Sequence, residues 1–160
     1  IAFIDSDDIW HKNKLKKKIE FMNKSKASFS FTSYKVIDET GKFISFRKVN
    51  KDANYKDLQK SNFIGLSTVI INNKINSKIK FPHLKTQEDF ALWLKFLREG
   101  YKLMHIKDTL VSWRKSRESL SSNFIQKIRD AFILFYKFEN KNLIFSIFRV
   151  IVLSYNKLLK

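Results

Sequence analysis

Three carboxylates fall within four positions near the start of the chain, in the run "IAFIDSDDIW". An apolar stretch over residues 1–4 leads straight into Asp5, Asp7 and Asp8. In open α/β sheets, ligands bind beyond the carboxyl ends of strands. A buried strand over 1–4 would place these acids at such an end. Side chains two apart on an extended backbone project to the same side, so Asp5 and Asp7 can converge on one cation. Carboxylate oxygens are hard ligands suited to Mg²⁺ or Mn²⁺. A metal held by one or two carboxylates completes its shell with water and phosphate oxygens. That chemistry points to a phosphorylated or nucleotide-linked substrate. Asp8 has a simpler alternative, capping the helix that follows.

A second acidic pair, Glu88-Asp89, opens the run "QEDFALWLKFLREG". Acids at a helix start are explained by capping and dipole terms of roughly 0.3–1 kcal/mol each. A carboxylate there also stays ionised and can take a proton from an incoming hydroxyl as a general base. Spacing alone leaves both readings open. His11 lies near the first cluster, but a lone imidazole there reads as structural. His83 and His105 show no ligand spacing.

The elements that must position these residues are legible from periodicity. Leu15, Ile19 and Met22 recur at i, i+4 and i+7, predicting an amphipathic helix over about 12–24 with those residues inward. Phe29–Tyr34 alternates apolar and polar, and a turn at 38–41 joins it to a partner at 43–46. Tyr55–Lys60 suits a short helix, and residues 67–71 suit a strand. Phe90, Trp93, Leu94 and Leu97 mark a helix stopped by Gly100. Residues 103–106 and 110–113 read as two short strands, followed by a basic, Ser-rich loop over 114–123. Two helical stretches follow, over about 124–138 and 142–158. Mixed strands and helices predict an α/β layered fold. The opening strand would need sheet neighbours that do not follow it, so those neighbours are expected in sequence ahead of Ile1.

Composition sets the outer bounds. The 160 residues carry 44% hydrophobic residues and 16 Phe, enough for one packed domain. No cysteine is present, which excludes disulfides and thiolate metal sites. The net charge of +17 favours polyanionic neighbours such as nucleic acid, anionic lipid or a phosphorylated substrate. A lysine- and asparagine-rich composition would produce much of that charge without any partner. The lysines are spread along the whole chain rather than clustered, so no nucleic-acid partner is expected.

Five stretches together carry a resemblance: "IAFIDSDDIWHKNKLKKKIEFM", "SFTSYKVIDETG", "NFIGLSTVII", "FPHLKTQEDFALWLKFLREG" and "LVSWRKSRESLSSN". In this order and spacing they resemble family 2 glycosyltransferases of bacterial surface polysaccharide synthesis. The resemblance covers about residues 1–123. It implies a GT-A fold, a mixed sheet flanked by helices, here lacking its N-terminal nucleotide-binding portion. It divides the chain into 1–123, the C-terminal part of a catalytic domain, and 124–160, a basic helical tail. It also implies an inverting, metal-dependent transferase. Such an enzyme moves a sugar from a nucleotide-diphosphate donor to a saccharide or lipid-linked acceptor, with Mg²⁺ or Mn²⁺ as cofactor.

The resemblance assigns roles residue by residue. Asp7 matches the principal metal ligand and Asp5 its partner toward the donor, with Asp8 assisting by hydrogen bonding. Asp89 matches the catalytic base, and Glu88 orients the acceptor or the base. Trp113 and Arg114 match an aromatic–Arg pair, with Arg114 reaching the donor diphosphate. Arg117, Ser119 and Ser121 fall in the lid loop behind it. Lys12 stands where the family often has proline. The resemblance implies a cytoplasmic location, and the tail over 142–160 suits either peripheral contact with the inner face of the membrane or packing against its own domain or a partner. Two other classes fit parts of the sequence. One is a haloacid-dehalogenase-like phosphatase with Asp5 as nucleophile. The other is a basic module that binds nucleic acid or membrane.

Overall fold

The computed structural model of the chain describes residues 1–116 and 123–158. Five strands form one mixed sheet: β1 (Ile9–Trp10), β2 (Phe29–Ile37), β3 (Phe43–Arg47), β4 (Ile70–Ile71) and β5 (Leu103–Arg114). Their order is β1–β5–β2–β3, and β4 also pairs with β2. β2 and β5 run parallel, from Phe29 opposite Leu103 to Ile37 opposite Arg114, and the other pairings are antiparallel.

The predicted α/β architecture is present, and its centre is β2. Alternation sends Phe29 and Phe31 to one face, where both are fully buried. There α3 (Glu88–Arg98) meets them: Trp93 stands edge-on to Phe29 with centroids 5.0 Å apart, and Phe96 lies 6.0 Å from it. The predicted stop holds as well. Gly100 takes φ +86°, and Tyr101 and Gly100 return their N–H groups to Phe96 and Leu97. That pair of bonds is a Schellman ending, and glycine suits its left-handed position.

The opposite face corrects the sequence reading. Helix α1 (Lys14–Ser25) forms where predicted but is rotated. Its buried residues are Lys14, Lys18 and Met22, while Leu15 and Ile19 are exposed. The sheet explains this, because Ser30 and Thr32 present a polar surface there. Lys18 Nζ donates to the carbonyls of Ser30 and Thr68, and Lys14 Nζ lies 3.4 Å from the centroid of the Trp10 ring. Burial pushes the Lys14 amine down to about 7 and holds Lys18 well below the usual lysine range.

Three further expectations change. Residues 1–4 do not form a buried strand: Ala2 bridges antiparallel to Ile70, and Ile1 and Ile4 are exposed. Residues 67–71 divide into a 3₁₀ turn, Leu66–Thr68, and then β4. The two strands expected between 103 and 113 are one continuous β5. Lys107-Asp108 interrupts its apolar pattern where its register with β2 shifts, between Thr32 and Ser33.

Helix α4 (Phe124–Ile133) runs into a π-turn over Leu134–Phe138, and α5 (Leu143–Leu158) follows. Leu134 and Phe135 are fully buried in the main core, with Phe135 edge-on to Phe90 at 6.3 Å. A short helix, α2 (Tyr55–Leu58), is tied to the same region. Tyr55 Oη donates to the buried Glu139 carboxylate, which also pairs with Arg98 at 2.7 Å. Among the described residues, no helix is long and apolar enough to cross a membrane.

Candidate active site

The two acidic motifs, 80 residues apart in sequence, share one electrostatic environment. The Asp5 carboxyl is pushed up by burial, then by the charges of Asp7 and Glu88. Asp89 is pushed up to about 7, by desolvation first, then by Glu88, with Asp5 adding to it. Like charge in a partly desolvated space disfavours ionisation, and Asp5 and Asp89 are both raised by it. Such a cluster is what a cation relieves.

The loop carrying Asp5–Asp8 is held from three directions. It turns on itself where Asp8 N–H donates to the Asp5 carbonyl. Ser67 grips it from the 3₁₀ turn, because its Oγ accepts from Asp5 N–H at 2.9 Å and its carbonyl accepts from Trp10 Nε1 at 3.0 Å. From the end of β5, Arg114 N–H donates to Asp8 Oδ1 at 2.9 Å. The Arg114 side chain then spans to the β2–β3 turn. Its Nε donates to the Asp7 carbonyl at 2.9 Å, and its Nη1 donates to the carbonyls of Asp38 and Glu39 at 3.0 and 2.8 Å.

These contacts separate the three aspartates. Asp8 is buried, and it does not cap α1. The N-cap position of α1 is Asn13, which makes no side-chain cap bond. Asp8 instead ties the acidic loop to β5, and its Oδ2 has no hydrogen-bond partner. Its carboxyl is pushed up by burial, which the Ser67 hydroxyl and the Arg114 N–H oppose. Asp7 is exposed, and the contact to Arg114 uses its backbone, so its carboxylate points away from structural duty. Asp5 lies between these extremes. Arg114 is committed to main-chain carbonyls as a brace. His11 Nδ1 accepts from Asn13 N–H at 3.2 Å, which shapes the start of α1.

The second motif is positioned by residues that sequence reasoning did not single out. Gln87 precedes α3 with φ +63°, a left-handed conformation uncommon for a side-chain-bearing residue. Two contacts from α4 fix that turn. Gln87 Nε2 donates to the Lys127 carbonyl at 2.8 Å. Buried Asp130 accepts from both the N–H and the hydroxyl of Thr86, at 2.8 and 2.9 Å, and from Gln126 at 2.9 Å. Asp130→Ala would leave the Thr86 donors unpaired and is expected to cost about 2–4 kcal/mol. Urea unfolding reads that loss, and an unchanged midpoint would remove Asp130 from this role.

Asp89 Oδ1 lies 2.6 Å from Phe90 N–H, and the Asn62 side chain also stabilises its carboxylate. Tyr34 lies close enough that Asp89 and Asp8 add to the burial that pushes its phenol up to about 12. It stands edge-on to Trp113, with centroids 6.5 Å apart. Trp93 belongs to the core, as its helical spacing predicts. Tyr34, Asn62 and Ser67 fall within stretches that carry the resemblance but were assigned no role there, and Asp130 lies outside them; their importance comes from contacts across long sequence separations. The expected lid residues Arg117, Ser119 and Ser121 lie outside the described residues.

The donor set suits a hard cation only in part. Among the described residues, no group of three His, Cys, Asp or Glu side chains is arranged to hold an ion. Asp5 and Asp7 supply hard oxygens, so a cation here would need oxygens from its ligand, as Mg²⁺ commonly does with phosphates. The mutual repulsion on Asp5 fits such an ion.

No protein-family model matches the chain. Among curated proteins, it is 32% identical over 140 residues to the putative teichuronic acid biosynthesis glycosyltransferase TuaG of Bacillus subtilis (strain 168). That match covers 87% of this chain and 56% of the relative. It is 33% identical over 133 residues to WfgD of Escherichia coli, a UDP-Glc:alpha-D-GlcNAc-diphosphoundecaprenol beta-1,3-glucosyltransferase, covering 81% of this chain and 51% of the relative. The chain thus spans about half the length of these relatives. Among solved structures, S. aureus TarS 1-349 in complex with UDP-GlcNAc superposes with a TM-score of 0.64 at 16% identity. That superposition covers 89% of this chain and 43% of TarS, and the fold is shared as the sequence predicts.

Proposed function

We propose that this chain, which is homologous to bacterial glycosyltransferases, contributes the metal-binding and base-bearing part of an inverting, metal-dependent sugar transferase. The observation that carries the reading is the meeting of Asp5, Asp7, Glu88 and Asp89 in one field of like charge. In this reading the donor is a nucleotide-diphosphate sugar and the acceptor a hydroxyl of a saccharide or a lipid-linked saccharide. The TuaG and WfgD relatives support surface polysaccharide synthesis as the setting.

Asp7 and Asp5 would hold Mg²⁺ or Mn²⁺, which supplies positive charge to the departing diphosphate. Asp89 is the base. Burial and the Glu88 charge bring its pKa up to about 7, near the operating range, where base catalysis is most effective. The acceptor oxygen attacks the anomeric carbon as its proton passes to Asp89. The bond to the diphosphate breaks on the opposite face, and the nucleotide diphosphate leaves with the electron pair. Glu88 orients the incoming hydroxyl and raises the basicity of Asp89. Asp8 and Arg114 serve the donor indirectly, by fixing the backbone that presents Asp7.

A phosphatase with Asp5 as nucleophile fits less well, because the relatives TuaG and WfgD are named as glycosyltransferases. The intact protein, offered a panel of nucleotide-diphosphate sugars and saccharide acceptors, should yield a glycoside of inverted anomeric configuration. Proton NMR of the product reads the configuration. Retention, or phosphate release without a glycoside, would refute the proposal.

A further inference from the structure

Helix α5 carries an apolar stripe that is exposed among the described residues. Ile144, Phe148, Ile151 and Tyr155 are 80%, 55%, 60% and 62% exposed, and Ile147 extends the same face. Their spacing of three and four residues puts them on one side of the helix. The opposite side is fixed to the domain. Ser146 is fully buried, Leu153 packs against the main core, and Asn156 Nδ2 donates to the Lys60 carbonyl at 3.0 Å. The helix therefore cannot roll to hide the stripe without breaking these contacts. Several large apolar side chains on one exposed helix face are an unusual surface and mark an interaction site.

Charge identifies the occupant. Between 124 and 156 the basic residues are Lys127, Arg129, Lys137, Lys141 and Arg149. The acids there are Asp130 and Glu139, and both are buried and engaged internally, by Thr86 and by Arg98 with Tyr55. The outward charge of this segment is thus of one sign. Two copies placed stripe to stripe would bring cation against cation, which opposes self-association. An apolar stripe among cations matches an anionic lipid surface, with the side chains at the acyl boundary and lysines among headgroups. The described 16 residues of α5 lie along the domain, held by Ser146, Leu153 and Asn156, so the stripe is presented sideways as a surface.

We propose that the exposed face of α5 docks the protein onto an anionic bilayer surface, with Ile144 and Phe148 inserting. The inference stands on this surface and does not depend on the transferase reading. If it holds, the domain is oriented on the membrane by the contacts that fix α5, with Asp130 and Glu139 tying the neighbouring segments into the core.

Flotation of the intact protein with vesicles tests it. Phosphatidylcholine vesicles containing phosphatidylglycerol should carry the protein up, and phosphatidylcholine alone should not. In about 0.5 M NaCl, which screens surface charge, part of the binding should persist because apolar insertion is not screened. The double variant Ile144→Asp/Phe148→Asp should lose that salt-resistant part by at least about tenfold, with an unchanged thermal midpoint. A second readout does not depend on that variant folding. The chain has no cysteine, so Phe148→Cys carries an environment-sensitive dye at one place. Its emission should shift blue on anionic vesicles, while the same dye at exposed Lys24→Cys should not shift. Equal salt-resistant binding by the double variant would overturn the proposal. So would a dimer in sedimentation equilibrium that the variant dissolves while vesicles leave the wild type unbound.

Discussion

Asp89→Asn is expected to lower the rate of sugar transfer by about 10²–10⁴-fold, the range general-base catalysis supplies, while donor affinity stays within about twofold. Asparagine preserves the size of the side chain and an oxygen for the Phe90 N–H, which lies 2.6 Å from Oδ1. It removes the lone pair that, in the proposed mechanism, accepts the acceptor's proton. The same substitution should act on stability in the opposite direction. Asp89 is pushed up to about 7, far above an ordinary aspartate, because burial and the Glu88 charge disfavour its ionised form. Between the unfolded value near 4 and that folded value, the native state holds more protons than the unfolded state. Stability then falls as pH rises through that window. With metal removed by EDTA, Asp89→Asn should be more stable than wild type at pH 8, by about 1–3 kcal/mol, and equal to it near pH 4. Urea unfolding at the two pH values checks the sign. A variant that is both inactive and less stable at pH 8 would indicate a structural aspartate, and near-normal transfer would remove Asp89 as the base.

Asp7→Ala is expected to leave the fold almost untouched and to weaken metal-dependent donor binding by at least about 100-fold, since in the proposed mechanism it removes a direct ligand rather than an outer-shell partner. The backbone contact that matters structurally, Arg114 Nε to the Asp7 carbonyl at 2.9 Å, survives truncation of the side chain. Asp7 is exposed, so its loss should change stability by no more than about 0.5 kcal/mol. Calorimetric titration of a nucleoside diphosphate, with Mn²⁺ and again with EDTA, separates the effects. The variant should lose the part of the affinity that EDTA abolishes in wild type. An equal loss in EDTA would assign Asp7 to direct donor contact without an ion. Asp8→Ala contrasts with this. It cuts the tie to Arg114 N–H and should lower stability as well as donor binding, because its carboxylate is buried and structural.

The sequence was informative where a local pattern and its tertiary surroundings agree. The alternation of β2, the turn at 38–41, the i, i+3, i+4, i+7 stripe of α3 and its Gly100 ending were all legible, because each is satisfied by neighbours of the expected kind. Helix α1 shows why agreement can fail. Leu15 and Ile19 define a plausible inward face, yet the sheet offers Ser30, Thr32 and main-chain carbonyls at that layer, and Lys14 and Lys18 fill it instead. Residues 1–4 were expected to lie buried between strands. The actual partner of Ala2 is Ile70, a pairing that no local pattern announces.

The candidate site divides in the same way. Asp5, Asp7 and the Glu88-Asp89 pair could be named from residue type and spacing, and the fold brings them into one electrostatic field. The residues that hold them could not. Ser67 grips the first loop from 62 positions away, and Asp130 holds the turn before α3 from 44 positions away. Arg114 carries a family-like signal, and its Nε and Nη1 donate to the carbonyls of Asp7, Asp38 and Glu39, a bracing contact that spacing does not announce. Long-range polar contacts of this kind leave no periodic trace, since a single serine or aspartate satisfies them.

The most direct test of the central claim is turnover of a nucleotide-diphosphate sugar by the intact protein across a chelation cycle. Nucleotide diphosphate release is followed in the presence of acceptor, first as purified, then in EDTA, then after Mn²⁺ or Mg²⁺ is returned. The account predicts release that stops in EDTA and recovers with the cation, because Asp5 and Asp7 need an ion to meet the diphosphate. Release that continues unchanged in EDTA would contradict it.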